Sequence, residues 1–259
     1  MNLVSNLDFM DFYFNGHWLS EFGGMIGGKE GLSDYPLLPS RVYTTDRAIK
    51  QDGVTVFDSY LEPRVFEVPI VFEDIDYKGL RAISGWLNSK TDQWFYYKDD
   101  TLKIRCALDN SANDIEFLGF SNGKRGGETS LKFIAHDPYY YELDETIYDY
   151  KNLTNTTNTY NLTNTGNEFS FPVFSIWGTG TIAIKLYDAD NFLISTCTVS
   201  NLTTGFVLDS KSRTCYTQSG APHFNSFEGR YPLFPVGNYK VEVIGSATDI
   251  KITPRYRFV

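Results

Sequence analysis

One strand and its abrupt stop constrain the fold of this 259-residue chain more than any other stretch. From Thr129 to His136, Leu131, Phe133 and Ala135 alternate with Ser130, Lys132 and His136, the period of two that marks a half-buried β-strand. Asp137-Pro138 ends it, because proline has no N–H to give a ladder. Three tyrosines, Tyr139 to Tyr141, lead toward a run dominated by Asn and Thr from Asn152 to Asn167. Such side chains satisfy their own backbone and bury little, so this run reads as a linker or exposed loop. Alternation resumes at Phe169 with Phe-Ser-Phe-Pro-Val-Phe. The chain therefore reads as two bodies, residues 1–145 and 146–259.

Charge supports that division. Residues 1–145 hold 14 Lys+Arg against 24 Asp+Glu, net −10, and residues 146–259 hold 9 against 8, net +1. The acidity belongs to the first body and argues against broad binding of a phosphate backbone, which needs clustered Lys and Arg. Apolar content of 42% allows a core, and a 16% aromatic share favours strands over helices. No apolar run approaches the roughly 18 residues that would span a membrane as a helix. The first residues, Met-Asn-Leu-Val-Ser-Asn-Leu-Asp, lack a basic segment and carry acid where a signal peptide is apolar, so export by that route is not expected. Cys106, Cys197 and Cys215 are odd in number and suit a reducing compartment, as small buried residues rather than a disulfide framework.

In the first body, Phe12-Tyr-Phe14, Asn15-Gly16 and His17-Trp18-Leu19 read as a hairpin, since Asn-Gly supplies the positive φ angles of a type I′ turn. Within the polar tract from Ser40 to Asp58, Arg41 to Thr45 and Val54 to Phe57 fit two arms of a long hairpin. A tract of this length with little core of its own points to a functional or interaction arm. Arg64 to Glu73 is a strand with Phe66, Val68, Ile70 and Phe72 on one face, and Pro69 on the other suggests an edge position or a bulge. Asp76 to Asn88 is a helix, capped by Asp74 or Asp76, with Leu80, Ile83, Trp86 and Leu87 on one side. Trp94 to Tyr97, Lys103 to Leu108 and Ile115 to Phe120 read as strands, and Asn122 to Gly127 as a hairpin loop. The second body shows short alternating stretches with turn signals between them, such as Ile182-Ile184-Leu186 and Tyr239-Val241-Val243, and no helical period. The fold class expected is mainly β (α+β): a sandwich or barrel carrying one helix, followed by a jelly-roll or lectin-like sandwich.

Motifs for chemistry fail one by one. Gly23-Gly-Met-Ile-Gly-Gly28-Lys29 has P-loop spacing, but Glu30 stands where Ser or Thr should bind magnesium, and a flexible glycine loop is the better reading. Gly178-Thr-Gly180-Thr-Ile-Ala183 matches a dinucleotide fingerprint, yet its sequel alternates with period two rather than opening a helix, so it reads as a hairpin turn. Asp99-Asp100, Asp144-Glu145 and Asp188/Asp190 are pairs of acids that solvated turns explain, and the last lacks the glycine and glutamate of a calcium loop. His17, His136 and His223 are isolated, and no G-x-S-x-G elbow occurs. Four N-x-T sequons, at Asn152, Asn155, Asn161 and Asn201, reflect Asn/Thr-rich composition. Trp177, Tyr187 and Tyr216 could stack on sugar rings, with sheet packing the plainer reading. No catalytic residue, metal ligand or cofactor is expected.

Several stretches together resemble a known family. Phe12-Tyr-Phe-Asn-Gly16, Arg64-x₅-Ile70-x-Phe72, Leu80-x₅-Trp86-Leu87 and Leu131-x-Phe133-x₃-Asp137-Pro-Tyr139 resemble the N-terminal domain of siphophage distal tail proteins, the baseplate hub. Gly166-Asn-x₄-Pro172, Val207-Leu-Asp209-Ser, Phe234-Pro-x-Gly237-Asn238 and Ile250-Lys-Ile-Thr-Pro-Arg-Tyr-Arg257 are similar to that family's galectin-like C-terminal domain. The resemblance implies a virion structural protein assembled in the host cytoplasm and no enzyme. It implies a homo-hexameric ring between the tail tube protein and a tail-tip, lysin-type protein, with DNA passing unbound through the lumen. The outer domains would hold receptor-binding or baseplate proteins, with no membrane contact. On that view Arg41, Val42, Tyr43, Thr44 and Thr45 are candidate contacts to the neighbouring subunit. The rival reading is a carbohydrate-binding adhesin that uses the second sandwich on host cell-wall glycans. A wall-degrading enzyme would need a catalytic centre that the residues do not supply.

Overall fold

The computed structural model describes residues 11–27, 38–46, 52, 54–109, 116–121 and 124–259. The acidic N-terminal stretch before Asp11, the end of the glycine loop at Gly28-Lys29, Ile115 and the turn residues Asn122-Gly123 lie outside the described residues. The chain divides into two units, Met1–Leu143 with Val259, and Asp144–Phe258.

The first unit begins with β1 (Phe12–Phe14) and β2 (His17–Trp18), joined by Asn15 at φ 44° and Gly16 at φ 90°. A 3-10 turn, Leu19–Phe22, leads to β3 (Gly24–Ile26), and β4 (Arg41–Asp46) and β5 (Thr55–Leu61) follow. Then come β6 (Arg64–Phe72), α1 (Tyr77–Leu87), β7 (Gln93–Tyr97), β8 (Leu102–Leu108), β9 (Glu116–Ser121), β10 (Lys124–Ala135) and β11 (Tyr140–Glu142). The hydrogen-bonded order is β2-β1-β7-β8-β10-β6-β3, with β9 on β10 and β11 on β8. Only Phe133↔Leu108 and Ile134↔Ala107 join β10 to β8, so the sheet turns a corner there.

Strand β3 corrects the reading of Gly23 to Lys29 as a flexible loop: Gly24 to Ile26 pair with Phe72 to Ile70. A Cβ at Gly24 would come within 2.5 Å of Leu19 Cδ1 and 2.7 Å of Phe72 Cε1, so both buried side chains would have to shift to admit one. Pro69 is likewise placed differently from expectation. β6 lies between β10 and β3, and its pairing with β10 runs through Ser130↔Pro69 without a bulge. On the other side β3 ends at Ile26↔Ile70, and the Pro69 carbonyl accepts from Gly27 N–H at 2.9 Å. In an antiparallel strand the N–H and C=O of one residue point the same way, so the missing proline N–H falls where the partner strand runs out.

The inner face is aromatic. Phe12, Phe14, Phe66, Phe95 and Phe133 are buried within 5.0–6.1 Å of one another in successive ring pairs, each contributing about 1.5–3 kcal/mol by burial. Helix α1 closes over this face. Its N-cap Asp76 accepts from Gly79 N–H at 2.6 Å, and Ile83, Trp86 and Leu87 are its buried side. Trp86 stacks near Phe12, its Nε1–H donates to the Phe14 carbonyl at 2.6 Å, and Asn15 Nδ2 donates back to the Trp86 carbonyl at 2.6 Å. The Asn-Gly hairpin is thereby tied to the helix.

The second unit comprises β12 (Tyr148–Tyr150), β13 (Thr157–Asn164), β14 (Val173–Tyr187), β15 (Leu193–Leu202), β16 (Gly205–Asp209), β17 (Thr214–Thr217), β18 (Phe227–Gly229) and β19 (Gly237–Thr253). Two expectations fail here. Half of the Asn/Thr run is strand β13, paired with β19 from Thr157↔Ile244 to Asn164↔Gly237. Its inward positions are Asn158, Leu162 and Asn164, and the two amides stay buried because they donate to the carbonyls of Asn155 and Glu168. Gly178-Thr-Gly180 is not a hairpin turn either. It lies inside the 15-residue β14, where the register against β19 shifts between Trp177 and Gly178 and again between Thr179 and Ala183.

Those bulges build the layers. Val173–Trp177 pair with the far half of β19 and with β16, whereas Ala183–Tyr187 pair with its near half and with β15. β14 and β19 thus belong to both layers and bend where β19 carries Gly245 at φ 132°. A Cβ at Gly245 would sit 2.4 Å from the Thr181 carbonyl oxygen, so glycine alone fits the corner. One core fills the space between, with Phe174, Ile176, Ile184, Phe206, Val241 and Ile250 among its buried members.

Candidate assembly arm

Arg41 to Thr45 form most of β4, and the structure pairs them with β5 in a two-stranded sheet of its own. The register runs Arg41↔Leu61, Val42↔Tyr60, Tyr43↔Ser59 and Thr44↔Asp58, then slips by one residue at a bulge before Thr45↔Val56. Glu62 N–H donates to the Ser40 carbonyl at 2.8 Å and closes the base. Arg41 Nη1 donates to Ser59 Oγ at 3.1 Å, on the face that Tyr43 shares. Directly opposed residues lie on the same face, so one side presents Tyr43 with Arg41 and the other Val42 with Tyr60. Phe57 is the extra residue at the bulge.

This hairpin exposes what a free-standing surface normally hides. Tyr43 is 56% exposed, Phe57 67% and Tyr60 56%, with Val54 and Val56 also exposed. An isolated two-stranded ribbon is marginal in water, and clustered exposed apolar residues mark an interaction surface. The five residues singled out by sequence are therefore one strand of the feature. Phe57 and Tyr60 on its partner strand carry as much exposed apolar area. The sequence already places Val54 to Phe57 on the partner arm; Tyr60 lies beyond it because Asp58 and the bulge break the alternation.

The remaining candidates are accounted for by local bonds. His17 Nδ1 lies 2.8 Å from Glu21 Oε2, and the Trp18 N–H together with this histidine holds the Glu21 carboxyl below its usual range. His136 lies 3.0 Å from Asp92, and His223 Nε2 2.9 Å from the Ser200 carbonyl. Asp188 Oδ1 accepts from the N–H groups of Asp190 and Phe192, which makes a turn rather than an ion loop. Asp100 Oδ1 accepts from Leu102 N–H. Cys106, Cys197 and Cys215 are buried free thiols, and burial pushes Cys197 up to about 12 and Cys215 to about 11. Tyr187 donates to Glu242 at 3.0 Å beneath Lys240, Tyr216 packs edge-on against Phe224, and Trp177 is partly exposed. Among the described residues, no group of three or more His, Cys, Asp and Glu could hold a metal, and no helix is long and apolar enough to cross a membrane.

The stretches of the second unit that carried the family resemblance meet in space. Arg255, at φ 55°, places Nη1 3.0 Å from Asp209 Oδ2. Asp209 Oδ1 also accepts from Lys211 and Ser212 N–H. Ser210 N–H donates to the Pro172 carbonyl, Asn167 N–H to the Arg257 carbonyl, and Ser170 and Phe234 exchange backbone bonds. Gly166 lies so close to Arg257 that a Cβ would sit 2.3 Å from its carbonyl oxygen. These segments form a structural clasp around buried Phe234.

Residues 7–134 match the family described as phage tail protein N-terminal domain. The match falls within the first unit and reads it as a phage tail domain. The crystal structure of the SPP1 Dit protein, described as a paradigm of the hub adsorption apparatus in phages that infect Gram-positive hosts, is similar over 96% of this chain and 99% of that one. The TM-score is 0.72 and the identity 15%. Structures of the phage p2 baseplate in its activated conformation, with Sr and with Ca, match over 94% of this chain and 97% of theirs, at TM-scores of 0.51 and 0.52 and 10% identity. At these identities the likeness is one of fold. No curated protein sequence matches the chain.

Proposed function

We propose that the chain forms a homo-hexameric ring that joins the tail tube to the tail tip, with the first unit in the ring and the second, as a galectin-like sandwich, directed outward to anchor receptor-binding or baseplate proteins. The observation that carries this reading is the β4–β5 arm, a two-stranded ribbon that pairs with no other strand among the described residues and carries aromatic side chains on both faces. A closed ring uses a heterologous contact, in which a projecting element of one copy meets a different surface of the next. Arg41, Val42, Tyr43, Thr44 and Thr45, with Phe57 and Tyr60, supply the projecting element. The net −10 of residues 1–145 gives the ring a further property. Acidic walls repel a phosphate backbone, so DNA traverses the lumen without adhering. The test is the mass of the purified chain in solution, alone and with its neighbouring tail proteins. The ring requires about six times the 29.5 kDa subunit, and a monomer under both conditions overturns it.

A further inference from the structure

Strands that cover a core on one face ordinarily present polar residues on the other. The sheet of β2, β1, β7 and β8 does not. Its inner face is the phenylalanine core, and its outer face is aromatic as well. Tyr13 stacks on Tyr96 at 4.7 Å, and Trp18 meets both rings edge-on at 5.5 Å. Next to them Trp94 lies under two cations, with Lys103 Nζ 4.7 Å and Arg105 5.7 Å from the ring centre. The four aromatics are half-buried and Arg105 is exposed; at the β8 edge Tyr141 of β11 meets Trp94 edge-on at 5.8 Å and extends the aromatic face. Trp, Tyr and Arg are the residues that dominate binding energy at protein interfaces.

Charge identifies what fits this face. It carries Lys103 and Arg105 in a unit whose net charge is −10. At the other end of the same sheet order, β6 and its connection to α1 present Glu67, Glu73, Asp74 and Asp76, all exposed. One unit thus offers a cationic aromatic surface at one end and an acidic one at the other, the complementarity a head-to-tail contact needs. We propose that the outer face of β2-β1-β7-β8 is one side of the contact between copies of this chain, covered by the acidic β6–α1 stretch of the next copy. The proposal rests on the ring reading and adds a second surface to the arm.

A cysteine at Arg105 tests it directly, because all three native thiols are buried and leave the new one to report alone. In the full-length chain, Arg105→Cys should react with a maleimide in the dissociated subunit and be protected in the ring. Arg105→Glu, and separately Glu67→Lys with Glu73→Lys, should each raise the concentration for half-assembly by roughly tenfold or more. Equal labelling of ring and subunit, or unchanged assembly in either charge variant, overturns the proposal while leaving the ring intact. Protection that appears only when a neighbouring tail protein binds a ring already formed without it assigns the face to that protein and also overturns the proposal. A wild-type chain that assembles under no condition removes the ring reading and this contact together.

Discussion

Cys197, Cys215 and Tyr160 show how single side chains set the conditions under which the second unit survives. Burial raises both thiols, to about 12 and about 11, and burial with the Tyr150 charge raises Tyr160 to about 12. In the unfolded chain a thiol titrates near 8.5 and a phenol near 10. The folded state therefore keeps these protons longer. Their stabilising contribution is complete below about pH 8.5 and is lost as pH climbs through the folded values. Thermal melts should hold level up to that point and then fall steadily toward pH 11–12; a Tm unchanged at pH 11 would contradict the assignment. Gly245 is the other decisive residue. An alanine there would combine a strained φ of 132° with a Cβ 2.4 Å from a carbonyl oxygen. Gly245→Ala should cost roughly 2–5 kcal/mol in urea unfolding, and a loss below about 0.5 kcal/mol would show that the corner can relax.

At the scale of elements, helix α1 and the arm are opposites. The helix is anchored: Trp86 fills the aromatic core and donates to Phe14. Trp86→Phe keeps an aromatic ring but removes that bond and some volume, so unfolding free energy should fall by about 1–3 kcal/mol. The arm carries no such load. Tyr43→Ser with Phe57→Ser should leave subunit stability within about 0.5 kcal/mol of wild type while abolishing assembly in sedimentation; intact assembly would remove the arm from the contact. Both elements were legible in sequence, the helix from Leu80-Ile83-Trp86-Leu87 and the arm from its polar, core-poor tract. Strand β13 was not. Its Asn and Thr side chains imitate a loop, and only its partner β19 shows that Asn158 and Asn164 are buried with carbonyl acceptors. Gly178 and Gly180 misled in the same way, because a bulge in a long strand and a turn between short ones draw on the same residue. Within the arm, the sequence placed Val54 to Phe57 on the second strand, but the bulge at Phe57 shifts the alternation, so Tyr60 on that strand went unread.

For the whole molecule, two β units of opposite charge balance serve different ends. The first gathers the acidity, the arm and the aromatic sheet face. The second is closed by strands shared between its layers and by the Asp209–Arg255 clasp. On the hub reading the working surfaces are completed by assembly, and no catalytic constellation is needed. The lectin alternative concentrates function in the second unit and needs no ring. Negative-stain electron microscopy of the purified chain, with its neighbouring tail-tip protein added where required, separates the two most directly. The hub account predicts six-fold rings with outward lobes and an open centre. Single particles without rotational symmetry under both conditions would contradict it.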